Sequence, residues 1–123
     1  MSGVPFNLSN TILYCSRWRD TVEFYRRVLD LPVSVEKDWF VEFRLTAHSF
    51  VSIADARRAS IEPSEGRGIT LTLQTDDVRA LHDRLVDAGV ATGGVRRHPW
   101  GSLGFFCRDP EGYRLEFWQP LDG

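Results

Sequence analysis

Long apolar runs are missing from this chain. No stretch approaches the roughly 18 to 20 consecutive apolar residues that a membrane span requires. The opening MSGVPFNLSN has neither the basic nor the apolar region of a secretory signal. The expectation is a cytoplasmic protein with no membrane partner. Cysteine is scarce as well: Cys15 and Cys107 are too few for a disulfide scaffold and lack zinc-like spacing, so they read as reduced, small, buried hydrophobes. Neither sign of charge dominates. Fifteen Lys and Arg against 17 Asp and Glu leave a net charge of −2, without the basic stripe of a nucleic-acid binder, and nucleic acid is set aside as a partner. Low-complexity segments are absent, and 123 residues leave no room for a second independent domain. A single domain over 1–123 can bury roughly two thirds of its unfolded surface, so any metal would be functional rather than structural.

What is present is a pattern used twice. Trp18, Val22, Tyr25, Val28 and Leu29 share one helical face, with Arg19, Glu23, Arg26 and Arg27 opposite. This predicts a helix over Trp18–Leu29, capped by Ser16 and stopped by Leu31-Pro32. Val78, Leu81, Leu85 and Ala88 predict a second helix, with Asp76 or Asp77 accepting the free N–H groups at its start and Gly89 ending it. A short strand precedes each helix, Asn10–Cys15 and Gly68–Thr75, and three β-prone stretches follow each. In the first half these are near Val33–Glu36, Trp39–Thr46 and Ser49–Ala54; in the second, near Ala91–His98, Ser102–Arg108 and Tyr113–Gln119. Asp109-Pro110-Glu111-Gly112 makes the last hairpin turn. The reading is α+β: a first module at about 8–54, a connector at 55–67 and a second module at about 68–120.

Alternation assigns faces. Ile69, Leu71 and Leu73 should lie under the second helix, with Thr70, Thr72 and Gln74 opposite. Leu115 and Phe117 likewise oppose Arg114, Glu116 and Trp118. Helices on one side and mixed polar and aromatic groups on the other predict a curved sheet around a ligand cavity. Tyr14, Phe40, Phe50, Phe106 and Trp118 fall on the cavity side, with Trp100 at its rim.

This pattern resembles the vicinal oxygen chelate superfamily, which includes glyoxalase I, bleomycin-resistance proteins, fosfomycin-resistance enzymes and extradiol dioxygenases. The residues that carry the resemblance are Phe24-Tyr25-Arg26-Arg27-Val28-Leu29-Asp30-Leu31, then Asp77-Val78 through Leu85-Val86-Asp87-Ala88-Gly89-Val90. The ending is the strongest part: Pro99-Trp100-Gly101, then Arg108-Asp109-Pro110-Glu111-Gly112-Tyr113-Arg114-Leu115-Glu116-Phe117. Asp30 departs from it, standing where many relatives have glycine. The resemblance implies paired βαβββ modules forming a curved mixed sheet around a cavity, helices on the outer face, often completed as a homodimer. It does not fix function, because the same fold hosts metal-dependent enzymes and proteins that only bind a drug.

In metal-dependent relatives the ligands sit on four strands, and the equivalent positions here are Asn10, Ser52, Thr70 and Glu116. Only Glu116 is a normal metal ligand, so no cofactor is expected. His82 reads as a helix-edge residue and His48 as a solvated turn residue. His98, just before the Pro99-Trp100-Gly101 loop, reads as a loop residue or a ligand contact. Glu116 is the candidate catalytic residue, as a general base; as an anchor it would hold a ligand amine, and the plainer alternative is an ion pair with Arg44, Arg108 or Arg114. The expected ligand-binding set is Tyr14, Phe50, His98, Trp100, Phe106, Glu116 and Trp118, suited to a small aromatic or hydrophobic molecule. Under the alternative reading the chain is an enzyme, a glyoxalase-like lyase or extradiol-type dioxygenase, with zinc, nickel, manganese or iron completed by water or substrate.

Overall fold

The strand, helix and three-strand order repeats in a computed structural model that describes residues 3–121. The chain forms two compact units, one ending at Ser64 and the other beginning at Glu65. The first contains β1 (Ser9–Cys15), α1 (Trp18–Glu23), β2 (Val33–Lys37), β3 (Phe40–Thr46) and β4 (Ser49–Asp55). The second contains β5 (Thr70–Gln74), α2 (Val78–Asp87), β6 (Arg96–His98), β7 (Ser102–Arg108) and β8 (Arg114–Pro120). Each unit has its own four-stranded mixed sheet, in the orders β1-β4-β3-β2 and β5-β8-β7-β6. In each, the first strand runs parallel to the last and the other pairs are antiparallel. Two βαβββ modules of one topology make an α+β fold.

The cores lie between sheet and helix. In the first unit Leu13, Val41, Phe43, Val51 and Ile53 are buried with Val22, Phe24 and Tyr25. In the second, Phe105, Cys107, Leu115 and Phe117 are buried with Val78 and Leu85. At about 1.5–3 kcal/mol for each large side chain, these clusters supply much of what holds each sheet to its helix.

The second helix follows its sequence signals closely. Asp77 Oδ1 accepts the Ala80 N–H at 3.0 Å, and Gln119 Oε1 accepts the Val78 N–H at 2.7 Å. At the other end Gly89 takes φ of +83°. Its N–H bonds Val86 O and the Val90 N–H bonds Leu85 O, the paired bonds of a Schellman ending.

The first helix departs from expectation. Its α-helical part ends at Glu23, and Phe24–Val28 is a π turn. The Leu29 N–H reaches back five residues to Phe24 O at 3.1 Å, and the Leu31 N–H reaches Tyr25 O. Phe24 and Tyr25, at the start of this turn, are both buried, with ring centroids 5.3 Å apart and edge to face. The N-cap position falls on Arg17 rather than Ser16 and has no side-chain capping bond. The chain leaves the helix at Asp30, with φ of +55°, one residue before Leu31-Pro32.

Two strands are shorter than predicted. Only Arg96–His98 of the Ala91–His98 stretch is strand, with an isolated bridge from Thr92 to Cys107 before it, because Gly93 and Gly94 break the extended run. β5 begins at Thr70, leaving Ile69 38% exposed instead of under α2, since the pairing with β8 starts one residue later. At the beginning of the second unit Gly66 seats against Gly112 of the last hairpin turn. A Cβ on Gly66 would lie 2.1 Å from the Gly112 carbonyl carbon, so only glycine fits. No helix is long and apolar enough to cross a membrane among the described residues.

Candidate functional site

Each unit leaves one sheet face uncovered by its helix, and the registers fix what stands there. In the first unit three cross-strand rows form: Asn10–Phe50–Arg44, Ile12–Ser52–Glu42 and Tyr14–Ala54–Phe40. The polar members bond to one another. Ser52 Oγ donates to Asn10 Oδ1 at 2.9 Å, Asn10 Nδ2 donates to Glu42 Oε1 at 3.2 Å, and Ser34 Oγ donates to Glu42 Oε2 at 2.6 Å. Ser52 is fully buried, and this chain gives its hydroxyl a partner. Arg44 stacks over Phe50, 5.6 Å from the ring centre. Glu42, the carboxylate at the centre of this chain, is absent from the expected site. The alternation of Val41 and Phe43 against Phe40, Glu42 and Arg44 carries its signal.

The open face of the second unit is richer in aromatic rings. Its rows are Thr70–Arg114–Arg108, Thr72–Glu116–Phe106, Gln74–Trp118–Gly104–Arg96, and Pro120–Ser102–His98. The register puts Thr72 beside Glu116, and Thr72 Oγ1 donates to Glu116 Oε1 at 2.8 Å. Thr70 stands beside Arg114 and accepts from its Nε at 2.9 Å. Neither Arg108 nor Arg114 forms an ion pair with Glu116 among the described residues; Arg114 instead lies over Phe106, 4.8 Å from the ring centre. Gly104 leaves room for Trp118: a Cβ there would meet Phe117 O at 2.8 Å and Trp118 Cβ at 3.2 Å.

His98 and Trp100 are brought together by the turn at Pro99-Trp100-Gly101, their rings stacked at 4.5 Å and 4°. The His98 ring also stands edge-on to Phe106 at 6.3 Å. Trp100 is 70% exposed. His98 Nε2 and Ser102 Oγ, cross-strand neighbours, are both buried without a protein hydrogen-bond partner. A buried polar atom left unpaired costs about 1–3 kcal/mol, so this end of the face has unused capacity for a bonded group.

The other titratable candidates are structural. His82 Nε2 lies 3.0 Å from both Gly93 O and Thr92 Oγ1, and its ring stands edge-on to Phe105, tying α2 to the segment before β6. His48 is exposed in its turn. Both cysteines are buried thiols outside any disulfide, and desolvation, followed by the charge of Asp109, pushes the Cys107 thiol up to about 11. Asp55, whose carboxylate accepts from Arg57 backbone and side-chain N–H groups, is held below the ordinary carboxylate range by those bonds.

The family described as Glyoxalase/Bleomycin resistance protein/Dioxygenase superfamily matches residues 7–117. The chain belongs to that superfamily. Solved structures share its fold. An antibiotic-binding protein from Streptomyces sp. CB03234 is 22% identical with a TM-score of 0.80, covering 97% of this chain and 99% of that one. A glyoxalase/bleomycin resistance protein/dioxygenase from Nocardioides is 20% identical with a TM-score of 0.79, covering 100% and 88%. A lactoylglutathione lyase from Agrobacterium tumefaciens is 20% identical with a TM-score of 0.76, covering 94% of each. No curated protein matches significantly.

Members of the superfamily often use a divalent metal, and the donors at the equivalent positions here do not fit one. Asn10 and Ser52 are neutral and bond each other in the first unit, with the Asn10 amide also committed to Glu42. Thr70 is neutral and accepts from a guanidinium, which leaves Glu116 as the one anionic donor of the set. A divalent ion wants about three imidazole, thiolate or carboxylate ligands. Among the described residues no three of His, Cys, Asp and Glu converge in that way.

Proposed function

We propose that this chain is a glyoxalase/bleomycin-resistance-like protein that binds a small aromatic or hydrophobic molecule without a tightly held metal. The observation that carries the reading is the ring-lined open face of the second unit, where Phe106 stands opposite the carboxylate Glu116, Trp118 lies two residues along β8, and the stacked His98–Trp100 pair reaches Phe106 through the His98 ring. Rings of this kind offer large, rigid, apolar contact at low entropic cost. Glu116 acts as an anchor in this reading, not as a base. Thr72 occupies Oε1, and Oε2 faces no protein donor among the described residues, so it accepts a hydrogen bond from the ligand. Tyr14 and Phe50 add rings to the open face of the first unit. The similar fold of an antibiotic-binding protein supports a binding role.

Tryptophan fluorescence titration with a panel of planar aromatic compounds tests this. A binder should lose roughly tenfold or more in affinity on Trp118→Ala, from lost stacking and burial together. Glu116→Gln should weaken amine-bearing ligands more than neutral analogues. Excess zinc, nickel, manganese or iron should raise the thermal midpoint little, since weak binding stabilises by only RT ln(1 + [L]/Kd). A binder indifferent to both substitutions, or a large metal-induced shift abolished by Glu116→Ala, refutes the reading.

A further inference from the structure

The second unit's open face carries two arginines directly opposite each other, and neither forms an ion pair among the described residues. Arg108 and Arg114 are register partners on β7 and β8, so their side chains leave the same face side by side. Like charges placed this way repel and destabilise a sheet. Among the described residues neither has an acidic group within ion-pair distance, although the neighbouring Arg67 is paired with Glu65 at 3.8 Å. Their protein hydrogen bonds go to neutral oxygens: Arg108 Nη1 donates to Gly112 O at 2.8 Å and Arg114 Nε to Thr70 Oγ1 at 2.9 Å. These bonds orient the two guanidiniums and leave their other N–H groups without a protein acceptor.

Two open recesses meet at this pair. One, of about 500 Å³, is lined by Phe106, Ala91, Cys107 and both arginines. The other, of about 470 Å³, is bounded by the turn carrying Glu65, Gly66, Arg67 and Gly68, by Ile69 and Thr70, and by the same two arginines. The Arg114 guanidinium is 4.8 Å from the Phe106 ring centre, so charge and ring border one space. Glu116, two residues along β8 and held by Thr72, stands one row away, about 7 Å by strand rise. Glu65 in the turn is paired with Arg67, and Glu116 at that distance offsets the positive charge of the two remaining guanidiniums only in part.

We infer that Arg108 and Arg114 form an anion-binding subsite for a carboxylate or phosphate carried by an aromatic ligand whose ring lies against Phe106. The inference rests on the ligand-binding reading above and adds to it an acidic group on the ligand, one row away from the oxygen of Glu116. Guanidinium forks match the planar oxygens of a carboxylate or the edge of a phosphate, and bridging two of them removes their mutual repulsion.

Calorimetric titration of the full chain at low ionic strength with naphthoate and with the neutral naphthalenemethanol tests it. Naphthoate should bind roughly tenfold or more tightly than the alcohol, and the preference should shrink as salt is added. Arg108→Gln and Arg114→Gln should each abolish most of that preference, whereas Arg79→Gln, which removes an equal charge from α2, should preserve it. Equal binding of acid and alcohol to the unmodified chain overturns the anion subsite and leaves the aromatic-binding reading standing. Loss of the preference in Arg79→Gln as large as in the other two also overturns it, by showing a diffuse charge effect. Binding of neither compound overturns both. The comparison of acid with alcohol needs no variant, so a misfolded substitution cannot hide the answer.

Discussion

At Asp30 the backbone adopts φ of +55°, a left-handed conformation that costs an L residue about 1 kcal/mol relative to glycine. The side chain is exposed, so nothing in the core depends on it. Asp30→Gly should therefore raise stability by about 0.5–1 kcal/mol, read as a higher urea midpoint with an unchanged slope. Residue by residue, the open faces were legible in the sequence because alternation is a local property: Phe106, Glu116, Trp118, Tyr14 and Phe50 stand on the faces where period two places them. Their partners were not legible. Whether Thr70 or Thr72 neighbours Glu116 depends on the register of a parallel pair joining residues 44 positions apart, and no turn fixes that register. The same gap concealed Glu42, whose meaning comes from Asn10 and Ser34 on other strands, and the opposition of Arg108 to Arg114.

Among the elements, the hairpin between β7 and β8 shows how a short motif becomes structure. Asp109, 4% exposed, accepts the N–H groups of Gly112 and Tyr113 on one oxygen, both at 2.9 Å, while Gly112 supplies φ of +109°. Asp109→Ala would strip the buried Tyr113 N–H of this acceptor and leave the Gly112 N–H only the backbone oxygen of residue 109. It should destabilise the chain by about 2–3 kcal/mol in urea denaturation, with Asp109→Asn recovering part of the loss because its amide oxygen can still accept. The two helices differ in legibility for a physical reason. α2 is punctuated by Asp77 and Gly89, residues whose backbone and side-chain chemistry act within a few positions, and its bounds follow from them. The π turn after α1 has no side-chain cap to announce it, and what stands at its start is the buried pair Phe24 and Tyr25, a tertiary feature rather than a local one.

For the whole molecule, the first strand of each module is a sheet edge, and apolar side chains lie exposed on or beside these edges: Leu8 at 57%, Ile12 at 38% and Ile69 at 38%. Unpaired edges with apolar neighbours favour association. Sedimentation at micromolar concentration should therefore give twice the 14.1 kDa chain mass; a species of single mass would refute the homodimer. The seating of Gly66 on Gly112 bears on where such a chain tolerates being cut. Residues around Gly66 are clasped by the final hairpin, so new ends opened there would loosen a turn almost 50 positions downstream. Ser60, Ile61 and Glu62 are exposed and precede the clasp. Circular permutation, or separate expression of the halves, should open the backbone at those three residues, where neither half loses an internal seam.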